Sequence, residues 1–332
     1  MTYLNIMIKW GVIGAGKMGR TFAHSIKEVD NAKLIAVASL DNKRLNTFGS
    51  DFNINKDLRF TNYEMICKNS DIDAIYISTL NNTHLELIKL CATYKKKILC
   101  EKPFCLNLNE AEELESILKK NDIKFFEAIA YVSHPQTDNI LNLVKSGEIG
   151  EIKKIESSFG FKTKRIKPES RLFNKKFGGG SILDVGCYPL SFVSFFSNKN
   201  NDIKFINVNG EICKTNVDIS ASANLLIDDK IDCSIKVSLK ENFKNNCILY
   251  GSKQKIVVNN PWLPDKKTFL EVFDKDRYYK KFIETDLSVY ANQIKNVSKK
   301  FLNDKIEINN LFDISKAVKN MKLLDFWKKN IN

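Results

Sequence analysis

The feature that most constrains this chain is a glycine-rich turn between an apolar strand and a helix. The segment WGVIG is typical of a buried strand, and it runs into GAGKMG, which places Gly14, Gly16 and Gly19 in the spacing G-x-G-x-x-G. In such a turn the first glycine permits a tight bend, the second lets the backbone approach a pyrophosphate, and the third lets helix and strand pack closely. The helix N-terminus offers unpaired N–H groups to phosphates. We therefore predict a dinucleotide site that includes these glycines with Lys17 and Met18.

The rest of the first third alternates between strand and helix patterns. Apolar strand-like runs such as KLIAVASL, DAIYISTL and KKILCEKP are separated by stretches with helical spacing, which favours a parallel sheet covered on both faces. After about residue 130 the pattern changes to longer strands joined by turns, and the C-terminal stretch is helical again. The predicted fold class is α/β, with an N-terminal Rossmann doubly wound parallel sheet and a C-terminal α/β domain with an open, mostly antiparallel sheet.

A chain of 332 residues is long enough for two domains. We predict a dinucleotide-binding Rossmann domain over residues 1–127 and a substrate-binding and oligomerisation domain over residues 128–332. The C-terminal helix is a candidate to pack back on the first domain.

Composition argues against several other classes of protein. The net charge of +13 comes from lysines spread along the whole chain, without an arginine-rich block interleaved with aromatics, so we expect no nucleic-acid partner. The eight cysteines form no C-x-x-C pair and the three histidines are dispersed, which predicts reduced core thiols and no metal site. No apolar run reaches the roughly 18 residues that span a bilayer. We therefore expect a cytoplasmic protein that acts on a small molecule and does not contact a membrane.

The end of the second predicted strand bears on the choice of cofactor. NAD enzymes usually place an Asp or Glu there for the ribose hydroxyls, whereas this chain reads AVASLDNKR and has Ser39 at that place. Lys43 and Arg44 follow closely, and a hydroxyl with cations suits a 2′-phosphate that an acid would repel. We predict that NADP(H) is preferred over NAD(H). The alternative is that Asp41 rotates in and serves as the missing acid.

Four further motifs point to one family. They are ISTLNNTHLE, ILCEKPFCLNLNEAEEL, the stretch that begins FFEAIAYVSHPQ, and GGGSILDVGCYPL. Together they resemble the Gfo/Idh/MocA oxidoreductases, most closely the subgroup of dihydrodiol dehydrogenase, glucose–fructose oxidoreductase and sugar 3-ketoreductases. The resemblance runs from about residue 8 to 196 and more loosely to the end. Its most specific element is the E-K-P sequence of Glu101, Lys102 and Pro103.

The resemblance implies a site and an assembly. Lys102 and Tyr188 would lie at the nicotinamide, and Asp184 would help to hold the substrate. The family's turn T-P-N-x-x-H is matched with Leu80 in place of proline, and the Lys102–Pro103 bond is expected to be cis. The open C-terminal sheet would form the interface of a homodimer or homotetramer. The resemblance adds four residues to the cofactor side: Thr79, Asn81, His84 and Glu101.

The predicted pair of Lys102 and Tyr188 suits hydride transfer. Reducing a carbonyl builds negative charge on its oxygen, so a proton donor is needed, and the reverse reaction needs a base at the same place. An ammonium beside a phenol lowers the pKa of the phenol, so each group supports the other. The sequence leaves open which group is the immediate donor; we favour Tyr188 as donor or base and Lys102 as its activator and substrate clamp. Asp184 lies four residues before Tyr188 and would share its helical face.

Three weaker candidates complete the predicted substrate side. Arg171 lies just before the glycine run and is a candidate to reach the cleft. Tyr131 is a candidate apolar wall for a ring substrate, although an aromatic at such a position is more often a core residue. His134 is a candidate polar contact and is equally typical of a structural residue.

Two hypotheses for function follow from the sequence. The first is an NAD(P)-dependent oxidoreductase that transfers a hydride between nicotinamide and a carbinol or carbonyl carbon of a sugar, a nucleotide-linked ketosugar or a cyclic diol, in either direction. The second is a catalytically silent NADP(H)-binding regulatory or scaffold protein of the same fold. The presence of Lys102, Asp184 and Tyr188 together favours the first.

Overall fold

The computed structural model describes residues 7–197, 203–275 and 277–331. The chain divides into two compact units, Met1–Ser133 with Leu287–Val318, and His134–Asp286 with Lys319–Asn332. The predicted domains, 1–127 and 128–332, differ from these units at the first boundary and in residues 287–318.

Fifteen strands and nine α-helices are found in the part of the chain that the structure describes. The strands are β1 Ile8–Ile13, β2 Ala32–Ala38, β3 Arg59–Phe60, β4 Ala74–Ile77, β5 Lys97–Cys100, β6 Phe125–Glu127, β7 Ile152–Gly160, β8 Ile203–Ile212, β9 Asp218–Ile227, β10 Ile231–Ser238, β11 Asn246–Gly251, β12 Lys255–Asn259, β13 Lys267–Phe273, β14 Tyr278–Glu284 and β15 Phe312–Asp313. The helices are α1 Lys17–Ser25, α2 Asn42–Asp51, α3 Tyr63–Lys68, α4 His84–Thr93, α5 Leu108–Lys120, α6 Pro135–Lys145, α7 Cys187–Val193, α8 Val289–Leu302 and α9 Ile314–Asn330.

The sheet of the first unit has the strand order β15-β6-β5-β4-β1-β2-β3. Neighbouring strands are parallel except for β15, which pairs antiparallel with β6. Strand β4 is buried along its whole length, as expected for a parallel strand covered on both faces. The strand order reverses direction at β1 and β4, and ligands of such sheets bind at the carboxyl ends of the strands beside that point. The predicted Rossmann sheet is confirmed.

The core of the first unit forms around aromatic side chains. The ring of Trp10 on β1 packs edge-on against Phe22 of α1, with 5.3 Å between ring centroids. Its indole Nε1 donates a hydrogen bond of 3.1 Å to Oγ of Ser298 on α8, which joins the same apolar cluster. Residues far apart in sequence therefore build one core beneath the glycine turn.

The sheet of the second unit has the order β14-β13-β12-β11-β7-β10-β9-β8. All of its pairs are antiparallel except β7 with β10, so the prediction of a mostly antiparallel second sheet is confirmed. Helix α7 packs against β7 and β10, and α6 packs against β13 and β14. Outward-facing apolar side chains remain exposed on both edge strands, including Ile206 on β8 and Phe282 on β14.

The described residues also bear on thiols, metal sites and membrane spans. All eight cysteines are buried. Among the described residues, no group of three or more His, Cys, Asp or Glu side chains is arranged to hold a metal ion. Within the same residues, no helix combines the length and the apolar character needed to cross a bilayer.

Candidate active site

The glycine turn has the geometry of a phosphate-binding site. Gly14 has φ +108°, a conformation that favours glycine, and an added Cβ there would lie 3.0 Å from the backbone of Ser78. An added Cβ at Gly19 would lie 2.2 Å from the carbonyl oxygen of Gly14, so only glycine lets α1 approach β1 this closely. At Gly16 nothing lies within 4 Å of the Cβ position, and this N-cap residue makes no side-chain cap. The open space beside Gly16 and the helix start without a side-chain cap fit a pyrophosphate.

The end of β2 places the predicted cofactor-selecting residues. Ser39 is buried, and its Oγ accepts a hydrogen bond of 3.2 Å from the Asp41 N–H. Asp41 is the N-cap of α2: its Oδ1 accepts from the Arg44 N–H at 2.9 Å, and its Oδ2 lies 3.3 Å from Nε of Arg44. To serve a ribose, as the alternative requires, Asp41 would have to leave this cap. The Arg44 side chain is exposed.

Hydrogen bonds between its own residues stabilise the turn that follows β4. Thr79 and Thr83 share a hydrogen bond of 2.6 Å between their hydroxyls, and Asn81 is buried in the short 3-10 helix Asn81–Thr83. The exposed Leu80, which replaces the family's proline, leaves this turn intact, since the Thr83 N–H donates to its carbonyl oxygen. Thr79 and Asn81 therefore sit on a preformed turn at the carboxyl edge of the sheet.

His84 has a different place from the one predicted. It is fully buried, with Nδ1 3.0 Å from the carbonyl oxygen of Pro103 and Nε2 3.3 Å from that of Thr79. Burial lowers its pKa to about 4, so the ring is neutral at physiological pH and one of its nitrogens donates. Because backbone carbonyls occupy both sides of the ring, His84 ties the β4 turn to the segment that carries Lys102, and we do not expect the ring to contact a cofactor.

Lys102 lies two residues beyond the end of β5, and its peptide bond to Pro103 is cis, as the resemblance implies. The preceding Glu101 is buried and accepts a short hydrogen bond from the hydroxyl of Tyr76 on β4. Burial and the nearby Glu101 raise the pKa of Tyr76 well above its ordinary value. Burial and Glu101 also raise the pKa of Tyr290 on α8, and the Lys102 ammonium opposes that rise. The end of β5 is therefore a buried cluster of charged and phenolic groups.

A second carboxyl, Glu127, belongs to the same cluster. It ends β6 and is 3% exposed, and its Oε1 accepts a hydrogen bond of 3.1 Å from the Phe104 N–H. Burial raises its pKa to about 8; the Phe104 N–H and the Lys102 ammonium oppose this rise, and Glu101 adds to it. Lys102 thus lies among ionisable groups that respond to its charge.

In the second unit, the glycine run leads into an unusual helix start. Gly180 has φ +119°, and an added Cβ would lie 2.2 Å from Oδ1 of Asp218. Oδ2 of Asp218 accepts hydrogen bonds of 2.7 Å from both the Ser181 hydroxyl and the Ile182 N–H. Burial raises the pKa of this carboxyl, and both hydrogen bonds oppose the rise. Asp218 therefore satisfies the start of this helical segment through two hydrogen bonds.

The segment that carries Asp184 and Tyr188 is not one regular α-helix. Ile182–Gly186 is a π-helical turn, and α7 begins only at Cys187. Pro189 is the third residue of α7 and has no N–H to donate to the helix. The prediction that Asp184 and Tyr188 share a face used α-helical spacing, which does not apply across this wider turn.

Asp184 and Tyr188 have different surroundings within the second unit. The buried Asp184 pairs with Arg171, with 2.6 Å between Oδ1 and Nη1, and the Arg171 side chain is half exposed. The Tyr188 ring is 8% exposed and packs edge-on against Phe159 of β7, with 5.2 Å between centroids. It also packs against Trp262 at 6.3 Å. Asp184 thus holds Arg171, while aromatic rings hold Tyr188.

The weaker candidates are placed in the interior. Tyr131 is fully buried in the short 3-10 helix Ala130–Ser133. His134 is also fully buried and caps α6, since its Nδ1 accepts from the Gln136 N–H at 3.1 Å. Burial lowers the pKa of His134 to about 4. We therefore assign neither residue to substrate.

The structure groups the predicted residues into two sets. The first unit holds the glycine turn, the Ser39 and Thr79 turns, and Lys102 with Glu101; the second unit holds Asp184 with Arg171, and Tyr188. Sequence reasoning missed Glu127 and Asp218. The available signal for Glu127 was an acid that ends an otherwise apolar strand in KFFEAIA. Asp218 had no such signal, because its partners lie 36 and 37 residues away.

A parallel sheet with an open glycine turn after β1 and a lysine after β5 defines a nucleotide-binding Rossmann protein. The sequence matches the family described as "Oxidoreductase family, NAD-binding Rossmann fold" over residues 8–128. It also matches the "GFO/IDH/MocA C-terminal domain" over residues 138–257. The chain belongs to the Gfo/Idh/MocA oxidoreductase family, so the predicted family and enzyme class are confirmed.

Characterised relatives and solved structures agree with this membership. The chain is 29% identical to trans-1,2-dihydrobenzene-1,2-diol dehydrogenase of Xenopus tropicalis over 275 residues, which is 82% of this chain and 80% of the relative. The 3-ketoreductase KijD10 from Actinomadura kijaniata, in complex with NADP and TDP-benzene, superposes with TM-score 0.87 at 20% identity over 98% of both chains. Aldose-aldose oxidoreductase from Caulobacter crescentus gives TM-score 0.88 at 18% identity over 97% of both chains.

Proposed function

We propose that the protein is an NADP(H)-preferring dehydrogenase or reductase. It transfers a hydride between C4 of the nicotinamide and a carbinol or carbonyl carbon of a sugar, a nucleotide-linked ketosugar or a cyclic diol. The first unit binds the dinucleotide, and the second supplies the substrate contacts. The observation that carries the proposal lies in the first unit: the uncapped start of α1 and Lys102 stand at the carboxyl edge of one sheet. The names of the relatives support the substrate classes.

Each residue has a defined task in this proposal. A bound nicotinamide supplies the hydride chemistry. The phenol of Tyr188 gives a proton to the oxygen of a carbonyl substrate, or takes one from a carbinol, and the Lys102 ammonium holds the substrate oxygen. Arg171, held by Asp184, offers donors to a hydroxyl or an anionic group of the substrate.

A broad turnover assay tests the function. The purified protein is given NADPH with keto sugars and nucleotide-linked ketosugars, and NADP⁺ with sugars and cyclic diols, and absorbance at the nicotinamide band is followed. We expect turnover with at least one class. Tight NADPH binding without turnover on any of them would favour the silent regulatory or scaffold protein.

The open space at Gly16 gives a prediction on cofactor binding. Gly16→Ala adds a methyl group where nothing lies within 4 Å, so the unfolding temperature should stay unchanged. The same methyl group would meet a pyrophosphate, and we expect NADPH affinity to fall about a hundredfold, which is ~2.7 kcal/mol. Calorimetric titration measures the affinity. Gly19→Ala is the contrasting variant, because its Cβ lies 2.2 Å from the Gly14 carbonyl oxygen and should lower the unfolding temperature. Unchanged NADPH affinity in Gly16→Ala would place the phosphates elsewhere.

Ser39 gives a prediction on cofactor choice. Ser39→Asp should lower the ratio of kcat/KM for NADPH over NADH about tenfold or more, since a carboxylate repels the 2′-phosphate. Asp41 stays on its cap in α2 and does not add to this effect. Ser39→Asn is the matched control, because it has the same size without the charge. A ratio that does not move in Ser39→Asp contradicts the proposed preference.

The proposal includes a cytoplasmic homodimer or homotetramer joined through the second sheet. The exposed apolar side chains of Ile206 and Phe282 on its edge strands support such an interface. The eight buried cysteines are compatible with a reducing compartment. Light scattering coupled to size-exclusion chromatography measures the assembly.

A further inference from the structure

The last residue of β6 lies next to the strand that carries the active-site lysine. Glu127 is the register partner of Cys100, and the following Ala128 N–H donates to the Cys100 carbonyl oxygen at 2.7 Å. Lys102 comes two residues after Cys100. Because β5 and β6 are parallel, Glu127 and Lys102 leave the sheet at the same edge.

The two oxygens of the Glu127 carboxyl differ in their hydrogen bonding to the described residues. Its Oε1 accepts from the Phe104 N–H, two residues beyond Lys102, at 3.1 Å. Its Oε2 is buried, and among residues 7–197, 203–275 and 277–331 it has no hydrogen-bond partner. Leaving a carboxyl oxygen buried and unsatisfied costs free energy. Packing alone would be served better by an apolar side chain at this position.

Several charged or titratable groups surround Glu127 and Lys102. Cys100 and Glu101 come from the β5 side. Burial raises the pKa of the Cys100 thiol, and Glu101 and Glu127 add to that rise; burial also raises the pKa of Glu127, and Glu101 adds to it. The Lys102 ammonium opposes the rise in the pKa of Glu127, and on the α8 side it opposes the rise in the pKa of Tyr290. Among these groups, Glu127 is a deeply buried acid that also accepts a hydrogen bond from the Lys102 segment.

We propose that Glu127 is a positioning residue that fixes the Lys102 segment through the Phe104 N–H and keeps the Lys102 ammonium protonated in alkaline solution. This inference rests on the proposed function, in which Lys102 acts as an ammonium. Glu127 itself does not touch substrate or cofactor; it acts through Lys102.

The direction in which Glu127 shifts the titration of Lys102 follows from the raised pKa of Glu127, about 8. Below that pH the carboxyl is protonated and adds no charge. Above it the carboxylate appears beside Lys102 and favours the protonated amine. The two titrations are therefore coupled, and Lys102 loses its proton at a higher pH than it would beside a neutral group.

The variant Glu127→Gln tests whether the charge of Glu127 keeps Lys102 protonated. Its amide oxygen can still accept a hydrogen bond from the Phe104 N–H, but the side chain develops no charge. For Glu127→Gln we expect kcat within about twofold of wild type at pH 6.5. We expect the alkaline limb of its pH–rate profile to move to lower pH by about one pH unit. Glu127→Asp keeps the charge and should restore the limb. The matched control is Glu110→Gln, which alters a carboxylate that accepts from the Leu106 N–H of the same segment at 2.9 Å and should leave the limb in place.

A second readout does not need turnover. The rate at which acetic anhydride acylates Lys102 in the full-length protein without cofactor is followed from pH 7 to 11 by peptide mass spectrometry. Its midpoint reports the titration of Lys102 and should fall by about one unit in Glu127→Gln. An unmoved midpoint in Glu127→Gln overturns the role of Glu127, whether or not the enzyme turns over. A shifted midpoint in a protein that reduces no substrate supports Glu127 and contradicts the proposed function instead.

Discussion

Lys102→Ala is expected to lower kcat by about a thousandfold or more while the Kd for NADPH stays within a few fold. The lysine lies two residues beyond β5, and its charge acts on Glu127 and Tyr290. In the proposed function, the variant removes the ammonium that holds the substrate oxygen. The variant leaves the glycine turn, the proposed phosphate site, untouched, so affinity for the dinucleotide should persist. Single-turnover kinetics with bound NADPH separate the chemical step from binding.

Lys97→Ala is the matched control for that variant. It makes the same change at the first residue of the same strand, at the opposite edge of the sheet, and should leave kcat within about twofold. Added methylamine should restore part of the Lys102→Ala rate, because a small amine can occupy the space of the lost one. Near-normal turnover of Lys102→Ala would remove this residue from the mechanism.

Tyr188→Phe is expected to lower kcat about a hundredfold or more, since the variant lacks the hydroxyl that passes the proton in the proposed function. The aromatic contacts with Phe159 and Trp262 involve the ring, which phenylalanine retains. The unfolding temperature and the Kd for NADPH should therefore change little. Steady-state kinetics, thermal unfolding and calorimetric titration measure the three quantities.

Tyr250→Phe controls for the loss of a hydroxyl in the same unit. The Tyr250 hydroxyl donates to Oε2 of Glu156 on β7 at 2.9 Å, so its loss should lower stability slightly and leave kcat unchanged. If Tyr188→Phe keeps most of its activity while Lys102→Ala does not, the immediate proton donor is Lys102.

Local chemistry explains why much of the site can be predicted from sequence. The glycine turn depends on three backbone positions within six residues, and Gly14 and Gly19 have the conformation and the close approach that the spacing implies. The E-K-P sequence places Lys102 at the end of a strand whose apolar pattern is clear. Both features lie within one supersecondary unit, where short-range patterns carry the information.

Long-range pairing explains what the sequence does not predict. Strand β15 has two residues and no pattern of its own, yet it pairs with β6 across nearly 200 positions. Asp218 caps a helix start that is 36 residues earlier in the chain. The rings of His84, Tyr131 and His134 look like ligand contacts in a one-dimensional motif, but all three are buried. Burial and pairing partners are properties of the folded chain, and the motif does not contain them.

Ile182–Gly186 is a π-helical turn. The orientation of the segment before it relative to Tyr188 therefore depends on how many residues the turn contains, as well as on which residues they are. A π-helical turn contains one residue more than the α-helical turn it replaces. Losing that residue would convert the segment to regular helix and rotate everything before it by about 100° relative to α7. Length variation at this point is thus a route by which descendants of one ancestral enzyme can redirect a phenol without substituting it.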